Sequence, residues 1–243
     1  MARSNPAFRG DIFRTAHAGS ATDRMTVSGT VIKSMVLILL TALSTAWVWS
    51  NNRGGDMLQP AMLVGGLGGF IVAMITVFRP QVSPFTAPVY AVLEGIFLGA
   101  ISALYQARFH GLPATAVGLT VMVALGMLVA YSVGLLKATE TFKRVIVSAT
   151  IGIGLFYLFS IVLGFFGVHM SVMYDSSPLG IGLSLVITAV AAFNLILDFD
   201  MIEQGAKMGA AKYMEWYGGF ALLVTLIWLY LEMLRLLSRL QRR

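Results

Sequence analysis

Seven long apolar runs divide the chain, and short polar stretches separate them. Each run is about 20 residues long or slightly longer, which is the length that an α-helix needs to cross a bilayer. The pattern predicts an all-α, seven-transmembrane-helix bundle over residues 29–243, preceded by a mobile cytoplasmic tail over the polar residues 1–28. The seven runs are approximately Val31–Ser50, Pro60–Phe78, Ala87–Tyr105, Ala116–Leu136, Val145–Val168, Leu179–Leu197 and Trp216–Leu234.

The composition agrees with a membrane protein and excludes most soluble classes. Apolar residues make up 58% of the 243 residues and charged residues 12%, whereas soluble chains have about 45–50% and about 25%. We therefore exclude a soluble enzyme or a nucleic-acid-binding domain, and read the net charge of +6 as basic loops facing anionic lipid. The chain has no cysteine, which excludes disulfides and thiolate metal sites. Its three histidines lie outside the apolar runs or at their edges.

The basic residues predict an orientation in the cell membrane. The tail, the entry to the first run and the second, fourth and sixth loops together carry eleven lysines and arginines, and the other loops carry two. Basic residues favour the cytoplasmic side, so the amino terminus is predicted to be cytoplasmic. The side of the carboxyl terminus stays open: Arg235 and the arginines after it lie outside if the seventh run crosses fully, and inside if it dips in and returns.

Ionisable residues at membrane depth are the candidate functional residues, because charge is costly there. Four polar side chains close the sixth run: Asn194, Asp198, Asp200 and Glu203. Asn194 and Asp198 share one helix face. The three neighbouring acids repel one another, which favours protonation or a bound cation. The alternative is that the helix ends at this point and the acids are solvated loop residues.

Other candidates lie on the third and seventh runs. Glu94 is well inside the third run, where a carboxyl group must be protonated, paired or facing a wet cavity. Glu232 lies three residues before Arg235, which predicts a local ion pair. Glu215 precedes the seventh run and is either a site residue or a solvated loop acid. Arg79 lies in the second loop, on the predicted side of Asp198, so the two can approach.

No set of residues indicates an enzyme. No histidine at membrane depth completes a nucleophile–base arrangement. Asp198 and Asp200 are two residues apart and point to different sides, which argues against an intramembrane aspartyl protease. The seventh run has no lysine for a retinal Schiff base. Gly65 and Gly69 form a GxxxG pair, which predicts close helix packing.

Several motifs together resemble the Bax inhibitor (YccA-like) family, and its bacterial branch in particular. They are Glu94–Gly99, Asp198–Ile202, Glu215–Tyr217 and Trp228–Glu232. The resemblance implies six helices around a central seventh, and a pH-sensitive calcium leak gated by two aspartates on helices six and seven. Asp198 matches the first aspartate. The second is expected near Leu222–Thr225, where this chain has no acid.

Two functional hypotheses follow. The first is a passive, pH-sensitive cation pathway with calcium as the transported ion, no other cofactor, and Asp198 and Glu94 as calcium ligands. The second is a regulatory membrane protein without transport activity, because relatives in the family are associated with a membrane-bound protease. The residues assigned to the ion pathway are Asp198, Asp200, Glu94, Glu203, Glu232, Glu215, Asn194 and Arg79.

Overall fold

Seven α-helices form the protein in a computed structural model that describes residues 23–51, 57–167 and 177–242. All seven are long and apolar enough to cross a membrane, so the predicted all-α, multi-pass architecture is confirmed. A 3₁₀ turn, Pro80–Val82, leads into the third helix. The helices are α1 (Val27–Asn51), α2 (Leu58–Phe78), α3 (Ser83–Arg108), α4 (Leu112–Ser132), α5 (Glu140–Phe165), α6 (Pro178–Lys207) and α7 (Met214–Gln241).

Helix α6 is longer than its apolar run. The run ends at Leu197, but the helix continues to Lys207. Asp198, Asp200 and Glu203 are therefore helical residues, and the interpretation of these acids as solvated loop residues is wrong. Hydropathy marks where apolar residues stop, whereas a helix continues as long as its backbone hydrogen bonds continue. The Glu203–Lys207 ion pair, one turn apart, supports the last turn.

Helix α7 runs from Met214 to Gln241 without interruption. A helix of this length spans about 40 Å at 1.5 Å per residue, more than the hydrocarbon core needs. It contains no break at which the chain turns back. The structure therefore argues against the alternative in which the seventh run dips in and returns.

The chain divides into two compact units, and both contain parts of α6 and α7. Unit 1 comprises the described residues of 1–107 and 200–224, and unit 2 comprises 108–199 and 225–242. In the most apolar windows of α6 and α7, 50% of the residues are buried, more than in the other five helices. These two helices thus contribute much of the buried core of the fold.

In unit 1, small residues bring α3 close to its neighbours. A Cβ atom at Gly65 of α2 would lie 2.7 Å from the Leu93 carbonyl oxygen of α3, and one at Gly95 of α3 would lie 2.4 Å from the Thr41 carbonyl oxygen of α1. The Thr41 hydroxyl donates to the Ala91 carbonyl at 3.1 Å. The predicted close packing at Gly65 is confirmed, and it is the arrangement that glycine permits between membrane helices.

Part of the predicted mobile tail is folded. Residues 1–22 lie outside the described residues, but Met25 is buried with only 2% of its surface exposed. Helix α1 begins at Val27, two residues before the predicted start of the transmembrane domain. The segment from Asp23 to Thr26 packs against the connection between α6 and α7.

Candidate functional site

Asp198 is a buried carboxylate on α6 in unit 2. The three residues before it, Leu195–Leu197, are buried and apolar, and Asp198 itself is 7% exposed. The hydroxyl of Thr225 on α7 lies close to its carboxyl group. Its Oδ2 atom is buried and, among the described residues, has no hydrogen-bond partner. The alternative in which Asp198 points into bulk solvent is therefore wrong.

Thr225 lies within the range in which the resemblance placed an acid. A hydroxyl can donate a hydrogen bond to a carboxylate, but it cannot neutralise the charge. The Asp198–Thr225 pair therefore contains one acidic group, whereas the family resemblance implied two. Arg79 is an exposed residue of unit 1 at the end of α2, and its approach to Asp198 stays a prediction.

Asn194 fixes the same part of α6 to α5. Its side-chain amide donates to the Thr150 hydroxyl of α5 and to the Val190 carbonyl, both at 2.8 Å. Asn194 lies one turn before Asp198, as the spacing predicts. Its amide N–H groups join two helices, so Asn194 positions α6 beside α5.

The other acids of α6 do not gather into a metal site. Asp200 and Glu203 are only partly buried, and Glu203 forms an ion pair with Lys207. Across residues 23–51, 57–167 and 177–242, no group of three or more histidines or acids is arranged to hold a metal ion. Of the three acids in this part of α6, one is therefore buried and two are partly exposed.

Glu94 is a partly buried acid of unit 1 whose described neighbour is a tyrosine hydroxyl. The Tyr90 hydroxyl hydrogen-bonds to it from one turn earlier on α3. A Cβ atom at Gly69 of α2 would lie 2.8 Å from its Oε1 atom. The Tyr90 ring is held by an edge-on contact with Phe220, with 4.9 Å between centroids. The described partner of Glu94 is a neutral hydroxyl, so the three states predicted for its carboxyl group stay open.

Glu232 of α7 is the centre of a buried polar cluster in unit 2. It is 1% exposed, and its Oε1 atom lies 2.7 Å from Arg235 Nη1, which confirms the predicted ion pair. The Tyr157 hydroxyl of α5 donates to the same oxygen at 2.7 Å, and the Trp228 indole at 3.3 Å. Sequence reasoning missed Tyr157, because its helix is adjacent in space but distant along the chain.

Glu215 is also buried, so its interpretation as a solvated loop acid is wrong. It is 0% exposed at the start of α7. Its Oε1 atom accepts hydrogen bonds from the Thr26 backbone N–H at 3.0 Å and from the Thr26 hydroxyl at 2.8 Å. Lys212 Nζ lies 2.8 Å from the same oxygen. The partner that the sequence did not reveal is Thr26, 189 positions away.

Seven spanning helices with buried acids on α6 and α7 define a multi-pass membrane protein with ionisable groups in its interior. A family described as "Bax inhibitor 1 like" matches residues 5–242, and the chain therefore belongs to this family. No curated protein and no solved structure matches the chain. The family resemblance inferred from the motifs is confirmed, whereas the bacterial branch stays a prediction.

Proposed function

We propose that the protein is a passive, pH-sensitive cation pathway of the cell membrane, with the Asp198 carboxylate as its cation-binding group. Calcium is among the ions it transports, and the amino terminus lies in the cytoplasm. The observation that carries this proposal is the buried Oδ2 atom of Asp198, which has no hydrogen-bond partner among the described residues. Neither this proposal nor the alternative below involves catalysis.

The argument for Asp198 is one of charge. A buried carboxylate inside a membrane helix is retained when it is protonated, paired with a cation or facing water. Its described partner is the neutral hydroxyl of Thr225. A proton and a metal cation would therefore compete for the same oxygen, and this competition makes cation passage sensitive to pH.

The other buried acids support secondary roles. Glu232 already has the Arg235 guanidinium as a counter-ion, and Glu215 has the Lys212 ammonium. Glu94 has a tyrosine hydroxyl as its partner, so it resembles Asp198 in lacking a described cationic neighbour. We therefore propose Glu94 as a second calcium-binding group, separate from Asp198, and give Glu232 and Glu215 positioning roles.

Cation flux into proteoliposomes tests the proposal. We expect calcium uptake by the wild-type protein to change between mildly acidic and mildly alkaline pH, and Asp198→Asn to abolish that pH dependence. Glu140→Gln is the control, because Glu140 is an exposed acid of α5 that pairs with Lys143 and is not assigned to the pathway. Flux that is unchanged in the double variant Asp198→Asn with Glu94→Gln would overturn the site assignment.

The alternative is a regulatory membrane protein without transport activity, such as a modulator of a membrane protease or of a stress response. The observation that favours it is Thr225, a residue without charge in the range where the resemblance implied an acid. It predicts that a truncated chain beginning at Asp23 loses a co-purifying membrane protein. Retention of cation flux by that truncated chain would favour the pathway instead.

A further inference from the structure

The amino-terminal segment forms a small backbone pairing with the connection between α6 and α7. Arg24 and Ala211 form an isolated antiparallel bridge. The Met25 N–H donates to the Ala210 carbonyl at 2.6 Å, and the Lys212 N–H donates to the Asp23 carbonyl at 2.7 Å. We call this contact, between residues 23–26 and residues 210–215, the amino-terminal clasp.

A buried methionine seals the clasp. Met25 packs into a small apolar cluster with Ile202 of α6, Met214 and Tyr217 of α7, and Ala210 of the connection. This cluster contains residues from both sides of the α6–α7 connection. Removing Met25 from it would expose the facing ends of the two helices to solvent.

The Glu215 carboxylate stabilises the clasp through hydrogen bonds and its negative charge. It accepts two hydrogen bonds from Thr26, which immediately precedes α1. A negative charge at this position also interacts favourably with the amino-terminal end of the α1 dipole. The other carboxylate oxygen, Oε2, is buried and has no hydrogen-bond partner among the described residues.

These contacts are few, local and separable from the helices. The clasp consists of one backbone bridge, a small apolar cluster and the buried Glu215 carboxylate. It can open without the unfolding of any helix. The unsatisfied Oε2 atom lowers the stability of the closed form, because a buried carboxylate oxygen without a donor has lost its hydration. Segments with these properties are those that open locally in folded proteins.

We propose that the amino-terminal clasp opens and closes in the folded protein, and that its state controls cation passage by setting the position of the α6–α7 connection. The control of passage rests on the proposed function, whereas the opening does not. The two helices that the connection joins carry Asp198 and Thr225. A clasp that holds their junction to the start of α1 therefore limits how far either helix can shift, which is the usual basis of a switch between two states.

A disulfide lock tests the control of passage. Arg24 and Ala211 are a non-hydrogen-bonded antiparallel pair, for which a Cα–Cα distance of about 4.5 Å is typical, and this distance permits a disulfide. The natural chain has no cysteine, so the double variant Arg24→Cys with Ala211→Cys can form only this bridge within one chain. We expect oxidation to lower cation flux by roughly fivefold or more, the lower limit of ordinary coupling between sites, and reductant to restore it.

The matched controls are the two single-cysteine variants, whose flux should not respond to oxidant. Equal flux from the oxidised and reduced double variant, beside a conducting wild-type protein, would overturn the control by the clasp. A wild-type protein that carries no cation at any pH would instead contradict the proposed function.

A labelling experiment tests the opening without any flux. The single variant Met25→Cys places a thiol where the side chain is 2% exposed, so a water-soluble maleimide reacts only when the clasp opens. We expect slow labelling, and we expect its rate to rise roughly fivefold when Glu215→Gln removes the negative charge from the clasp. Glu140→Gln, a change to an exposed acid at the start of α5, should leave the rate unchanged. Labelling that is absent, or equally fast with and without Glu215→Gln, would overturn the proposal.

Discussion

The backbone of Gly29 lies directly against the carboxylate of Glu215. A Cβ atom at residue 29 would be 2.0 Å from Oε1 and 2.5 Å from Oε2, distances at which atoms overlap. The second residue after the start of α1 thus has to be glycine for Glu215 to reach Thr26. The need for glycine at residue 29 therefore arises from the side chain of residue 215, which is distant in the sequence.

Gly29→Ala is therefore expected to destabilise the protein by about 1–3 kcal/mol, the usual cost of forcing extra volume into a packed site. Thermal unfolding of the purified protein in detergent measures it. The control is Gly118→Ala on α4, where an added Cβ would have no neighbour within 4 Å. That variant should be unchanged or more stable by up to about 1 kcal/mol, because alanine is the better helix former. Equal behaviour of the two variants would show that Glu215 is not against Gly29.

The Glu232–Arg235 pair is expected to behave as a coupled unit. Arg235→Met leaves a buried carboxylate without its counter-ion and should cost about 2–3 kcal/mol, less than for a fully buried pair because the Arg235 side chain is one-third exposed. The double variant with Glu232→Gln should recover much of that loss. Unfolding free energies of the four proteins give the coupling directly. Strictly additive losses would mean that the two side chains act independently.

Thr225→Asp is expected to change the ion preference at Asp198. A second carboxylate supplies another hard oxygen ligand and a second negative charge, both of which favour calcium over sodium. We expect the calcium-to-sodium flux ratio to rise by about tenfold, equivalent to about 1.4 kcal/mol of binding free energy. Thr225→Asn is the neutral control and should leave the ratio unchanged. A similar rise with asparagine would assign the effect to shape and exclude charge as its cause.

We expect the protein to lose stability at alkaline pH because of Tyr213, which lies in the connection between α6 and α7. Burial raises its pKa above the ordinary value of 10.0, because the phenolate is less well solvated in the folded protein. The folded state therefore retains the proton longer than the unfolded state, and its contribution to stability is lost as the pH rises above about 10. Tyr213→Phe should flatten that part of the curve of unfolding midpoint against pH. An unchanged slope would mean that Tyr213 is fully solvated.

The sequence was sufficient to predict the seven helices, because membrane spans depend on long apolar runs that a single chain displays directly. It also predicted the Glu232–Arg235 pair, whose members are three residues apart on one helix. It did not reveal Thr26 as the partner of Glu215 or Tyr157 as the partner of Glu232. Those contacts join distant parts of the chain, so the spacing of neighbouring residues cannot predict them. The end of α6 was misplaced for a different reason, since hydropathy does not register a helix that continues through polar residues.

Helix α5 has a distinctive relation to the surrounding lipid. Only 6% of the residues in its most apolar window are buried, so much of its surface is available to acyl chains. Side-chain hydrogen bonds through Thr150 and Tyr157 tie it to α6 and α7, and such bonds average about 0.6 kcal/mol each in a membrane protein. A helix attached in this way adjusts its tilt to the thickness of the bilayer more readily than its neighbours do. The hydrocarbon thickness of the host membrane thereby acts on Asn194 and Glu232, because side chains of α5 form hydrogen bonds with both.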